Sequence, residues 1–142
     1  MQKRKTKMQD PKIKMQNRKM QDEKLKFKEE FRQRVYRFAL DVIEFTDRLP
    51  KEQASRIIGD QLLRSTTSIG ANMAEAQGAV SKKDYTNFFA YALKSANETK
   101  FWLSLLQDSG KSQKEPSSRL LREVTEIASI LATSILTLKG KR

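Results

Sequence analysis

Phe31, Val35, Phe38, Val42, Phe45 and Leu49 recur at steps of 4, 3, 4, 3 and 4. Only a helix places such positions on one face. Ala39 and Ile43 widen the stripe, while Arg34, Arg37, Asp41, Glu44 and Arg48 lie off it. Pro50 ends it, because the residue before a proline is driven out of the helical region. The same period returns three more times, each time bounded by Gly, Pro or a capping residue. With only five Gly and three Pro, the chain lacks the turns of an all-β fold.

A second helix is predicted from about Lys51 to Gln77, with Gly78 as its stop. Ala54, Ile58, Leu62, Ser65, Ile69, Asn72, Met73 and Ala76 share one side of it. The stretch from Ser65 to Ala76 is rich in small residues, so a neighbouring helix can approach closely. Gly59 and Gly70 each weaken the helix by up to about 1 kcal/mol relative to Ala, which packing must offset. Asn72, in mid-stripe, reads as a buried amide bonded to a neighbouring helix.

Ser81 is a good N-cap for a third helix, with Asp84 in the acid position of a capping box. Tyr85, Phe89, Ala92, Ala96, Thr99, Leu103 and Leu106 form its core stripe, and Gly110 closes it. Phe88, Tyr91, Trp102 and Leu105 lie beside that stripe and Phe101 falls nearly opposite. So wide an apolar arc is more than a monomeric bundle needs, so these five residues point first to a subunit interface and, behind it, to an aromatic platform for stacking bases. A fourth helix begins near Pro116, a favoured first helical residue. Leu120, Val124, Ile127, Leu131, Ser134 and Leu138 form its stripe, with Leu121, Ala128 and Ile135 beside it and Gly140 as its cap. Short connections make neighbours antiparallel. The expected fold is all-α, an up-down-up-down antiparallel four-helix bundle over residues 25–142.

Charge divides the chain differently. Lys and Arg number 29 against 17 Asp and Glu, a net charge of +12. Residues 1–34 carry +8 of it, and before Leu25 apolar residues are too sparse to bury a face. Pro11 reads as an interruption of any helix there. Residues 1–24 are therefore expected to be a basic arm, disordered or loosely helical and solvated. Lys3, Arg4, Lys5, Lys7, Lys12, Lys14, Arg18 and Lys19 are its candidate phosphate contacts, because cations on a chain with nothing to bury can follow a nucleic-acid backbone. The competing reading is a solubilising tail. If the arm is only that, a nucleic-acid site falls to bundle residues such as Arg34, Arg37, Lys82, Lys83 and Arg122.

There is no Cys and no His. Disulfides, thiol nucleophiles, imidazole bases and the commonest metal ligands go with them. Asp60, Glu75, Asp84 and Glu98 are scattered and read as capping or ion-pair residues, and no phosphate-binding glycine loop is present. No catalytic residue, metal site or cofactor is expected. Apolar runs fall far short of the roughly 20 residues a membrane span requires, and a signal-peptide core is missing. A cytoplasmic protein with no membrane partner is expected.

The strings Leu62-Leu63-Arg64-Ser65, Ile69-Gly70-Ala71-Asn72, Glu75-Ala76-Gln77-Gly78, Ser81-Lys82-Lys83-Asp84-Tyr85, Ala92 to Thr99 and Phe101-Trp102-Leu103 occur in that order. In this the sequence resembles the bacterial four-helix bundle family of 23S rRNA intervening-sequence proteins, over about residues 33–138. The resemblance implies a ring-like homopentamer. It also implies kinship with the accessory variability protein of diversity-generating retroelements, a basic pentamer that works with RNA and a reverse transcriptase. It supplies no catalytic residues. The first expectation is a non-enzymatic nucleic-acid-binding homopentamer, directed to RNA rather than DNA. The alternative is a protein-interaction scaffold, such as an adaptor for a reverse transcriptase.

Overall fold

The computed structural model describes residues 10–141. Four helices follow in order: α1 (Pro11–Asp47), α2 (Gln53–Gln77), α3 (Lys82–Asp108) and α4 (Lys114–Leu138). Among the described residues there is no strand, and the all-α bundle is the fold. The chain divides into two compact units, the first ending at Gln33 and the second beginning at Arg34.

In the first unit the helix begins at Pro11, where the sequence suggested a break. The Lys12 amide donates to Asp10 Oδ1 at 3.0 Å and the Lys14 amide to the Asp10 carbonyl at 3.0 Å. Asp10 is thus an N-cap and Pro11 the first helical residue, where its missing N–H costs nothing. Every residue from Asp10 to Glu30 is exposed, and Phe31 is the first buried one.

In the second unit Val35, Phe38 and Val42 of α1 meet the stripes anticipated from the other helices: Leu62 and Ile69, Ala92, Ala96, Leu103 and Leu106, Val124, Ile127 and Leu131, all of them fully buried or nearly so. Each large side chain so buried contributes roughly 1.5–3 kcal/mol. Three details depart from expectation. Ile43 is 43% exposed and does not widen the core stripe. Ser55 is buried at the start of α2 where Ala54 was expected, and Ala54 is exposed. Asn72 does not reach another helix: its amide donates to the Ser68 carbonyl (2.8 Å) and Ser68 Oγ (3.1 Å) of its own.

The α2–α3 register is carried instead by hydroxyls. Thr99 and Ser65 Oγ lie 2.8 Å apart, and Ser95 and Ser68 Oγ 2.9 Å. Small side chains at all four positions permit that approach. Ser65 Oγ also lies 3.1 Å from the Leu62 carbonyl, and Thr99 Oγ1 2.8 Å from the Ser95 carbonyl. On the other side of α2, Gly59 and Gly70 face α1. A Cβ at Gly59 would sit 3.2 Å from Leu49 Cδ1, whereas one at Gly70 would meet Val35 Cγ1 at an ordinary 3.7 Å.

The caps explain the helix ends. Ser81 Oγ accepts from the Asp84 amide at 3.0 Å, and the short Asp84 side chain accepts from the Val80 amide at 3.2 Å. Gly110 and Gly140 take φ of +73° and +69°, the left-handed conformation that a Cβ disfavours. α4 starts two residues before Pro116. Its first turn is held from α3 by Gln107, which donates to Ser117 Oγ (2.7 Å) and Ser118 Oγ (2.8 Å). Among the described residues no helix is long and apolar enough to cross a membrane.

Candidate nucleic-acid interface and subunit face

Lys3, Arg4, Lys5 and Lys7 lie outside the described residues. Lys12, Lys14, Arg18 and Lys19 are exposed on α1, and none of the four meets an acid among the described residues. At 100° per residue Lys12, Lys19 and Lys26 form one row along the helix. Beside it runs an exposed apolar line, Ile13, Met20 and Phe27, at a seven-residue spacing. The acids nearest the end of this unit are engaged locally. Glu29 is held below the ordinary carboxylate range by its hydrogen bond and charge interaction with Arg32.

The cations proposed on the bundle differ in their surroundings. Arg34 is occupied: its Nε and Nη2 donate to Glu123 at 2.9 and 2.6 Å, and Nη2 also bonds Glu126. This two-pronged contact holds Glu123 below the ordinary carboxylate range against the opposing effect of burial, with Arg37 adding a smaller attraction. The Arg34 guanidinium is correspondingly raised. Arg34 is thus a clamp between α1 and α4, unavailable to phosphate without breaking the pair. Arg37 is exposed on α1, Lys82 and Lys83 on the first turn of α3, and Arg122 on α4, 3.3 Å from Glu115. Arg119 and Arg122 line an open groove of about 800 Å³, but Asp41, Glu123 and Glu126 line it too. A second cleft, about 560 Å³, sets Arg48, Lys111 and Arg119 against Asp41 and Glu44. The first hollow holds more acids than cations, and in the second Arg48 pairs with Glu44 and Lys111 with Glu52.

The five aromatic and aliphatic residues assigned to an interface occupy one side of α3. Tyr91 is 52% exposed, Phe101 58% and Leu105 38%, while Phe88 and Trp102 are half-buried. Phe88 packs edge-on to Tyr91, and Phe101 edge-on to Trp102 with ring centroids 4.9 Å apart. The Trp102 indole N–H is shielded and has no hydrogen-bond partner among the described residues. A second apolar face escaped the sequence reading. Tyr36, Leu40 and Ile43, at steps of 4 and 3, are 67%, 50% and 43% exposed on the side of α1 away from the core. Their helical spacing was visible, but it ran in parallel with the stronger core stripe.

The carboxylates named from the sequence serve local roles: Asp84 accepts from the Val80 amide at the α3 cap and Glu98 binds Arg64. Among the described residues no group of three or more acidic side chains could hold a metal ion.

The model of the 23S rRNA-intervening sequence proteins matches residues 28–133, the whole run from the end of the exposed segment of α1 into α4. The chain belongs to that family. A solved structure from the S23 ribosomal protein family of Bacteroides thetaiotaomicron, described as a protein with unknown function, is 36% identical. It superposes with a TM-score of 0.70 over 74% of this chain and 97% of its own. No curated protein matches the sequence. Within the intervening-sequence family match lie both apolar faces and the Arg34 clamp; the row from Lys12 to Lys26 precedes it.

Proposed function

We propose that this intervening-sequence family member is a non-enzymatic RNA-binding protein that acts as a basic homo-oligomer, with five subunits as the resemblance implies. The observation that carries the reading is the exposed helix from Asp10 to Glu30, whose Lys12, Lys14, Arg18 and Lys19 form no ion pair among the described residues. Phosphate contacts of this kind confer affinity without sequence choice. Several arms on one oligomer would act together, so contacts weak in one copy become effective in the assembly. The exposed aromatic face of α3 supports self-association. The non-enzymatic reading rests on a chain without Cys or His, whose Asp84 and Glu98 are committed to a cap and an ion pair.

The test is a salt titration of RNA binding by the full chain and by a variant lacking residues 1–24. Each phosphate neutralised on single-stranded RNA adds about −0.7 to the slope of log affinity against log salt. Deletion is expected to lower both affinity and slope while the number of subunits in the oligomer stays unchanged. Coincident slopes and affinities would refute the arm's role. The adaptor reading, with a reverse transcriptase as the kind of partner, draws support from the apolar line Ile13, Met20 and Phe27. It gains ground if RNA affinity is absent and a partner protein binds only the intact arm.

A further inference from the structure

Three times in the exposed part of α1 a lysine stands directly before a large apolar residue: Lys12-Ile13, Lys19-Met20 and Lys26-Phe27. The step is seven residues, about 10.5 Å along the axis and about 20° short of two full turns. The lysines therefore form one row and the apolar residues another, each about 21 Å long and side by side on the helix. Ile13, Met20 and Phe27 are each about half exposed. Lys26 meets Glu30 only at 4.0 Å, with both side chains mostly in solvent. On the far side of the apolar row stands exposed Lys24, four residues after Met20 and three before Phe27. A line of apolar atoms is thus bordered by cations on both sides. Its width decides what can cover it. A partner helix packs into a seam of two apolar positions per heptad. Three residues on from Ile13 and Met20 stand Gln16 and Glu23, and four residues on stand Asn17 and Lys24, so the second row of a seam is missing. A membrane surface requires a broad apolar face. The other large apolar residues of the segment, Met15 and Leu25, each lie about 140° around the helix from Met20, which leaves a line only about 40° wide.

We infer that this helix takes single-stranded RNA, with phosphates along Lys12, Lys19 and Lys26 and unpaired bases against Ile13, Met20 and Phe27, where Phe27 is the stacking position. The inference rests on the reading of the arm as an RNA-binding element and names the kind of RNA it takes. A single strand has the matching chemistry, a run of negative charges joined to flat rings with apolar faces. In a duplex those faces are stacked on one another, and the major groove of A-form RNA is too deep and narrow for side chains to read. Paired RNA can therefore meet the lysine row but leaves the apolar row in water. Every base has a π-face, so stacking tolerates any sequence. The arm selects by strandedness, and its phosphate contacts add affinity without sequence choice.

The test titrates the full chain against salt with one RNA strand of about twenty nucleotides that cannot pair with itself, alone and annealed to its complement. Phe27→Ala and Phe27→Leu, the latter keeping bulk but not the ring, are expected to weaken binding of the strand roughly 5- to 100-fold, the range for one stacked base. Their salt slope and their binding of the duplex are expected to stay at the wild-type values. Phe27→Tyr keeps the ring and is expected to keep the affinity. Replacing Lys12, Lys19 and Lys26 together by Gln should instead lower the slope on the strand by about 2, at about 0.7 for each phosphate. At high salt, where the phosphate contribution fades, the strand should stay bound when the duplex is released. All these positions are exposed, and circular dichroism checks that helix content is kept. Wild-type affinity for the strand in Phe27→Ala or Phe27→Leu would overturn the inference, as would a duplex held as tightly as the strand at high salt. Either result leaves charge-driven RNA binding by the arm standing. RNA binding unchanged by loss of residues 1–24, or no RNA binding at all, would overturn both the inference and the reading on which it rests.

Discussion

Gly70→Ala should stabilise this protein, and the structure says by how much. In mid-α2 a glycine costs about 0.8–1.0 kcal/mol relative to alanine, through the greater freedom it loses on folding. That gain is kept only if the added methyl has room. At Gly70 the nearest atom is Val35 Cγ1 at 3.7 Å, an ordinary contact, and the backbone is helical. The expected gain is therefore about 0.5–1 kcal/mol, worth roughly 3–6 °C in melting temperature for a unit of about 100 residues. Gly59 provides the internal control. Its Cβ would lie 3.2 Å from Leu49 Cδ1, so the side-chain end must give way and Gly59→Ala should gain less than Gly70→Ala, or lose. The assay is urea unfolding at fixed protein concentration, with the midpoint rising at unchanged slope. A Gly70→Ala variant destabilised by about 1 kcal/mol, or ranked below Gly59→Ala, would refute the claim that only Gly59 is required for close approach.

Arg34→Gln should cost about 1 kcal/mol, between an exposed pair and a buried charge-assisted bond. Because Glu123 is held below its ordinary range, the pair's contribution is complete above the unfolded carboxylate's value and is lost as pH falls through the lowered folded one. The gap between wild type and Arg34→Gln, followed by melting from neutral to acid pH, should therefore shrink; a constant gap would show the cost to be packing alone. Ser65→Ala and Thr99→Val should each cost about 1 kcal/mol, and the double variant less than their sum by about 0.5–1 kcal/mol, since the two hydroxyls share one bond. Additive losses in that cycle would sever the proposed link between α2 and α3.

Much of this was legible in the sequence. The Phe31–Leu49, Tyr85–Leu106 and Leu120–Leu138 stripes follow one period, and burial selects their middle positions, leaving Leu49, Tyr85, Ser134 and Leu138 towards the ends half-buried. The Ser81 cap was equally plain, because Ser followed by Asp three residues on has few other local uses. What failed had alternatives of similar energy. Pro11 both breaks and begins helices, and only the Asp10 bond to the Lys12 amide decides between them. Asn72 had one amide and two possible acceptors, and the local Ser68 carbonyl won over a partner helix. Arg34 looked like a solvated cation because its acids lie 89 and 92 residues away. The two outward apolar faces differed in visibility for a similar reason: the α3 aromatics exceeded what one core could take, while Tyr36, Leu40 and Ile43 were masked by the richer stripe on their own helix.

The short connections between α2 and α3, residues 78–81, and between α3 and α4, residues 109–113, have a consequence for the order of events in folding. Their contacts join residues close in sequence, such as Ser68 with Ser95 and Gln107 with Ser117. Closing such loops costs little chain entropy, and helical proteins of low contact order fold within microseconds to milliseconds. The α2–α3–α4 hairpins are thus placed to form the nucleus, while the Arg34–Glu123 bond closes a loop of nearly ninety residues and belongs to the final docking of α1. Substitutions in the Ser65–Thr99 pair should then slow refolding, and those at Arg34 should chiefly hasten unfolding.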